Sequence, residues 1–510
     1  MTGEERAMEA NIIVNTSCGR IEGYEENGMI AFKGIPFAKA PVGELRFKPP
    51  VAVEPWEGIY KADHFGKRSL QTGEQEYSDD LGFSEDCLDL NIWIPREKSK
   101  SGQQAADEGA LKEGGLPVIF YIHGGGHCSG ANSDRFFDGP HLIRNRKAIM
   151  VAPAYRLGAL GYLYLRDYLG EEYADSGNLG LLDQLLALKW VHENIAAFGG
   201  DPDMVILMGQ SAGAKSVANL MVTPAAKGLF KRAILQSGAC QCIRDTQTAS
   251  KLTRIILEEL GLTRATASRI LTIDGEEIIK AQEKAYKRIN FGHIFGPVLD
   301  GRTISESPED YIREGKLGSI EVLIGYNRKE LYFSDPARGK SREEAAEAFK
   351  MCYGLYAKHA MDAYEEYLKT EDPVEAFDHV QSEFIYGNGT LRLTQLLADN
   401  GVRTWSYLWN FEGNTIPYHF TEMPYIFGYS EKDAPGRGYA MEDMNYSLLM
   451  NETWMSFILT GDPENVLLPK WPPCETGEMG YRMYFEEKPH LEQFRLHSYW
   501  SGMPMQVIKL

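Results

Sequence analysis

The sequence predicts an α/β protein: a mostly parallel sheet covered by helices on both faces. Three observations predict it. Short continuous apolar runs recur along the chain, as in strands buried on both sides. Stretches with helical spacing separate them. Clusters of Gly, Pro and Asp punctuate the junctions. In order, residues 88–94 alternate in the manner of a strand, and 118–122 and 148–152 are apolar runs of the buried kind. Leu181, Leu185, Leu188, Val191 and Ile195 recur along one helical face, which stops at Phe198-Gly199-Gly200-Asp201-Pro202. Residues 205–208 form a short buried strand and 212–221 a helix of small residues. Strands follow at 233–235 and 322–324, and 404–409 alternates as a strand near a sheet edge would. The segments 246–291 and 341–386 read as mainly helical additions packed beside the sheet. The polar stretch 96–115 reads as a surface loop between two strands.

Composition bounds the function. The chain has 510 residues, of which 43% are hydrophobic and 25% charged, which excludes a disordered or low-complexity chain. At roughly 100–200 residues per domain, the length suggests about three domains, unless one large fold holds it all. A net charge of −19 would repel nucleic acid, and no basic run offsets it. No apolar stretch is long enough to span a membrane. Acidic residues occupy the N-terminal positions where a secretory leader would be apolar, so the expectation is an intracellular protein or one whose leader has been removed. Seven cysteines, odd in number and without a CxxC, describe no disulfide scaffold, and reduced thiols in a cytoplasm are the simpler reading.

The chemistry centres on Gly209-Gln210-Ser211-Ala212-Gly213. GxSxG alone is a weak signal, but here it joins a buried strand to a helix. That is the context of a nucleophile elbow, in which small residues permit a tight turn that lifts the serine hydroxyl above the sheet. The continuation Ala214-Lys215-Ser216 imitates a phosphate-binding loop but lacks the Gly required before the Lys, so no nucleotide is expected. A serine hydroxyl needs a base. Among the histidines beyond Ser211, His419 stands in a loop after the strand at 404–409, whereas His359 and His379 lie in charged helical surroundings and His490 and His497 near the C-terminus. The acid should follow an earlier strand, and from the residues alone Glu330 and Asp335 both qualify. The glycine run in Tyr121-Ile122-His123-Gly124-Gly125-Gly126-His127 can aim bare N–H groups at an oxyanion, with the N–H of Ala212 as a further donor. His123 and His127 are four apart, but three intervening glycines make a helical metal pair unexpected, and neither metal nor organic cofactor is predicted.

These motifs resemble those of the type-B carboxylesterase family, which includes cholinesterases and bacterial para-nitrobenzyl esterases. The resemblance runs almost end to end, through Phe32-Lys33-Gly34-Ile35-Pro36-Phe37-Ala38, Glu85-Asp86-Cys87-Leu88-Asp89-Leu90-Asn91, Asn178-Leu179-Gly180-Leu181-Leu182-Asp183-Gln184 and Gly296-Pro297-Val298-Leu299-Asp300-Gly301. It implies the α/β-hydrolase fold over residues 1–510 as one catalytic domain carrying the two helical additions. It implies Ser211 as nucleophile, His419 as base and Glu330, in Gly325-Tyr326-Asn327-Arg328-Lys329-Glu330, as acid. Gly125, Gly126 and Ala212 would form the oxyanion hole. Ser237 resembles a supporting serine near the acid, although a strand-end turn residue is the alternative.

Departures from the family pattern are specific. Gln210 replaces the usual Glu before the serine, which removes a negative charge and weakens the case for a cationic substrate. Cys87 stands at a customary disulfide position whose partner position holds Ser69. No tryptophan lies between Gln71 and Ser84, where cholinesterases stack choline. His127 replaces a commoner aromatic residue, which would make the acyl side more polar. The expected activity is hydrolysis of small to medium neutral esters with water. The alternatives are a related acyl hydrolase (amidase, thioesterase or lactonase) or an inactive neuroligin-like binding protein. The sequence predicts no oligomeric state.

Overall fold

The structure, a computed structural model, describes residues 12–71, 82–96, 115–134, 141–143, 147–289, 293–331, 341–413, 416–429, 443–477 and 479–496. Twelve strands form the main path of its sheet: β1 (Ile12–Thr16), β2 (Gly19–Glu26), β3 (Met29–Pro36), β4 (Asp89–Pro95), β5 (Leu116–Ile122), β6 (Ile149–Pro153), β7 (Gly200–Gln210), β8 (Arg232–Gln236), β9 (Glu321–Asn327), β10 (Arg403–Trp409), β11 (Met479–Phe485) and β12 (His490–Arg495). Their spatial order is β1-β2-β3-β4-β6-β5-β7-β8-β9-β10-β11-β12. Pairing is parallel from β6 through β11 and antiparallel at both flanks. The predicted interior strands are all present, and β7 is longer than its apolar segment because it begins at Gly200, after Gly199 ends the preceding helical turn at φ 85°.

Why these strands lie inside is plain from their side chains. Val118, Phe120 and Ile122 of β5 face one core with Val205 and Leu207 of β7. Ile119 and Tyr121 face the other with Ile206 and Met208. The helices α1 (Leu179–Asn194) and α2 (Ala212–Met221) cover the first face through Leu185, Leu188 and Val217. The first addition holds α3 (Thr246–Glu259) and α4 (Gly275–Ile289), whose apolar faces share a core with Leu160, Tyr162 and Leu163. The second holds α5 (Arg342–Tyr353), α6 (Ala357–Tyr367) and α7 (Pro373–Ser382), packed around Phe349, Tyr364 and Phe377. A π-turn at Glu383–Gly387 then leads into α8 (Asn388–Asp399). The last long helix, α9 (Met444–Thr460), covers the second face with Trp454 and Phe457.

One expectation changes. β10 lies between β9 and β11, and Thr404 and Ser406 are fully buried. Its alternation reflects two unlike covering layers. Trp405, Tyr407 and Trp409 fill the core beneath α9, while the opposite face, small at Thr404 and Ser406, carries Leu408 against Leu391 of α8. Most of the loop predicted at 96–115 lies outside the described residues, as does Asp335.

Candidate active site

The sheet order reverses around β5: β6 lies on one side and β7 on the other. In open α/β sheets the crevice at the carboxyl ends of the strands beside such a reversal is where ligands bind. Gly209 of β7 pairs in register with Ile122 of β5, so the loops leaving these strands start side by side. One is the glycine loop, 123–127, and the other is the turn bearing Ser211.

Ser211 adopts φ 58°, ψ −122°, a conformation that costs a non-glycine residue about 1–3 kcal/mol and that surrounding structure must hold in place. It is held by its N–H donating to the Gln236 carbonyl at 2.8 Å and by its own carbonyl accepting from the Lys215 N–H at 3.0 Å. The two motif glycines allow the close approach. A Cβ on Gly209 would stand 2.5 Å from the Gly213 carbonyl carbon, and one on Gly213 would stand 2.0 Å from the Ile122 oxygen. Gly124 passes close over Gln210 and Ser211. In the glycine loop, Gly125 (φ 104°), Gly126 (φ 64°) and His127 (φ 60°) all have positive φ. Among the described residues the N–H groups of Gly125, Gly126 and Ala212 donate to no acceptor. His123 braces the loop: it stacks on Tyr155 at 4.4 Å and is held neutral by burial, its pKa lowered to about 4.

His419 and Glu330 meet because the parallel pairing of β9 and β10 continues into their loops. Asn327 pairs with Trp409, then Lys329 with Tyr418, and the His419 N–H donates to the Glu330 carbonyl at 3.2 Å. His419 Nδ1 lies 2.5 Å from Glu330 Oε2, and Glu330 Oε1 accepts from the Asn327 N–H at 2.8 Å. Glu330 has no solvent exposure. On the other edge of the imidazole, Nε2 lies 3.3 Å from Gln210 Nε2. The replacement noted in the sequence therefore touches the histidine itself: with Nδ1 donating to Glu330, a Gln210 N–H can donate to the Nε2 lone pair.

Four neighbours were not legible as site residues. Tyr386, in the π-turn, tilts against the His419 ring at 4.7 Å. Burial pushes its phenol up, Glu330 adds to the rise, and a contact with the Ser211 side chain opposes it. Glu422 is fully buried and accepts from Asn327 Nδ2 at 2.6 Å. Burial, then the charge of Glu330, raises it to about 8, so it is neutral at pH 7. Lys215 stands one helical turn beyond Ser211. The spacing of Asn327 and Glu422, each three residues from a triad candidate, offered a signal; no linear pattern marks Tyr386. The buried Ser237 donates its N–H to the Gly325 carbonyl at 2.8 Å, while its hydroxyl is buried without a hydrogen-bond partner among the described residues, so its contact with the acid-bearing strand is through the backbone. Cys87 is a free thiol whose hydrogen-bond partner is Ser69.

Comparison with known proteins decides the family. Residues 10–499 match the model of the carboxylesterase family. The chain belongs to the carboxylesterase family. This carboxylesterase is 34% identical over 475 residues to the para-nitrobenzyl esterase of Bacillus subtilis (strain 168), covering 90% of this chain and 92% of that protein. An acetylcholinesterase of Leptinotarsa decemlineata is 27% identical over 94% of this chain and 81% of its own. The crystal structure of a Geobacillus stearothermophilus carboxylesterase superposes with a TM-score of 0.81 at 34% identity, covering 94% of this chain and 97% of that one. A para-nitrobenzyl esterase structure gives 0.82 at 32% identity, covering 95% and 97%. The carboxylesterase is thus a carboxylic ester hydrolase of the α/β-hydrolase fold. Among its described residues no helix is long and apolar enough to cross a membrane.

Proposed function

We propose that the carboxylesterase hydrolyses small to medium esters through Ser211, His419 and Glu330 and a covalent acyl-enzyme. The observation that carries this reading is the 2.5 Å contact between His419 and a solvent-free Glu330, across the crevice from a serine held at positive φ. Ser211 Oγ attacks the ester carbonyl carbon while His419 Nε2, exchanging its Gln210 contact for the hydroxyl, takes the proton. Glu330 accepts from Nδ1–H and stabilises the imidazolium. The carbonyl oxygen becomes an oxyanion against the N–H groups of Gly125, Gly126 and Ala212, each worth about 10²–10³ in turnover. Collapse expels the alkoxide, which takes the proton from His419 and leaves as the alcohol. Water then attacks the acyl-enzyme, His419 takes its proton and passes it to Ser211, and the acid is released.

The three residues come from the ends of β7, β9 and β10 in one sheet, which supports residues 1–510 as one catalytic unit with additions at 246–291 and 341–386. The free cysteines among the described residues are compatible with the cytoplasmic setting expected from the sequence. Purified protein is expected to hydrolyse p-nitrophenyl butyrate, and Ser211→Ala to lose at least about 10⁴ in kcat. Wild-type turnover by that variant would overturn the reading.

A further inference from the structure

Two buried cations, Lys215 one helical turn beyond Ser211 and Arg244 within electrostatic reach of Lys215, form no ion pair among the described residues. Lys215 is 2% exposed and Arg244 1%. The Lys215 ammonium makes no hydrogen bond or ion pair there, and its one close polar contact is the face of Tyr386, 4.7 Å from the ring centroid. The same ring leans on His419 at 4.7 Å and meets His293 edge-on at 6.1 Å. Arg244 donates only to backbone carbonyls, those of Cys242 at 2.5 Å and of His293, and its Nε has no partner.

The groups that surround this pair include one acid, Glu330, whose carboxylate is already engaged. Around Lys215 they are Cys242, Arg244 and Glu330; around Arg244 they are Cys242, Tyr286 and Tyr162. Burial keeps the Cys242 thiol and both phenols protonated. Glu330 is committed to His419 and the Asn327 N–H. His127 and His293 are held neutral, first by burial and then by the two cations. Burial, then Arg244, lowers Lys215 to about 8 while Glu330 opposes the fall, which favours the ammonium form at pH 7. In a chain with 72 acidic residues against 53 Lys and Arg, two like charges buried together are costly unless an anion joins them. Lys215 follows Ser211 by four residues and Ala212 by three, on the same helix face. An anion over Tyr386 would therefore sit beside the reacting ester.

We infer that Lys215, backed by Arg244, forms a carboxylate-recognition subsite next to Ser211, so that the preferred substrates are esters that also carry a free carboxylate. The inference rests on the ester-hydrolase reading and names the substrate class of that site. It replaces the neutral esters expected from sequence, and Gln210, which keeps a second negative charge out of the crevice, is consistent with it.

The test compares kcat/KM for matched pairs on the full chain in a pH-stat at pH 7. Monomethyl glutarate against methyl hexanoate places the carboxylate on the acyl side; O-butanoyl glycolate against propyl butanoate places it on the alcohol side. A charged-to-neutral ratio above one in either arm is expected, and the arm that responds says which side Lys215 reads. A single charge-assisted hydrogen bond corresponds to about ten- to hundredfold. Lys215→Met should lower the ratio by that factor, and Lys215→Arg should recover much of it. Glutarate should compete with p-nitrophenyl butyrate in the wild type and weaken about tenfold or more as a competitor in Lys215→Met. Should Lys215→Met fail to fold, the wild-type ratios decide alone. Ratios below one in both arms, with p-nitrophenyl butyrate still hydrolysed, overturn the subsite and leave the esterase reading standing. If p-nitrophenyl butyrate is not hydrolysed, the esterase reading fails with it, and the subsite then falls unless the protein binds glutarate in calorimetry and Lys215→Met does not.

Discussion

Gln210 is the residue whose single oxygen-to-nitrogen difference changes most at the site. Its amide meets His419 Nε2 at 3.3 Å, where it can donate to the lone pair of the ring. Gln210→Glu would put a carboxylate at that distance and stabilise the imidazolium instead. The acid limb of the kcat/KM–pH profile should therefore move to higher pH, with p-nitrophenyl butyrate as substrate. An unmoved limb would show that Gln210 does not bear on the base. Tyr386 works at the same scale through position: its ring contacts His419 and the Lys215 ammonium together. Tyr386→Leu should lower kcat/KM for charged esters more than for neutral ones, because the neutral partner gains nothing from the ammonium held on that ring.

At the scale of elements, the turn between β7 and α2 depends on backbone contact that no side chain can enter. A Cβ at Gly213 would meet, at 2.0 Å, a carbonyl of the adjacent strand rather than a movable side chain. Gly213→Ala is thus expected to destabilise the protein by about 3 kcal/mol or more, measured as a lower unfolding midpoint in urea, and to reduce kcat as well. This turn is legible in the sequence because the steric demand falls on particular residue types at fixed spacing, and β5, β8 and β9 are legible because parallel strands buried on both faces read as unbroken apolar runs. β10 reads as lying nearer the edge than it does, because alternation cannot distinguish a solvated face from one covered by a different layer. Tyr386 and Lys215 are not legible as site residues for two different reasons. Tyr386 reaches the site from a helical addition about 175 residues away in sequence. Lys215 falls in a stretch that imitates an incomplete phosphate loop, and only its burial and its place against the Tyr386 ring tie it to the crevice.

For the whole molecule, pH dependence follows from buried acids. Glu422 has an ordinary carboxyl value of 4.5 and is raised by burial to about 8. Between those values the folded state holds a proton that the unfolded chain releases, so this group makes stability fall with rising pH, by about 1.4 kcal/mol per unit at most, and adds no slope above pH 8. Asp89, raised by burial to about 7, acts with the same sign at lower pH. Glu422→Gln should remove its share, and its Tm relative to the wild type should be higher at pH 8 than at pH 6; an equal difference at both would refute the assignment. The sheet is the frame on which residues 211, 330 and 419 leave the ends of β7, β9 and β10. The most direct measurement is mass spectrometry of the protein after one equivalent of an organophosphonate ester. A single adduct is expected on the peptide that contains Ser211, formed at least about 10³ times more slowly in His419→Ala. An adduct on another residue, or unchanged labelling in His419→Ala, would contradict the triad.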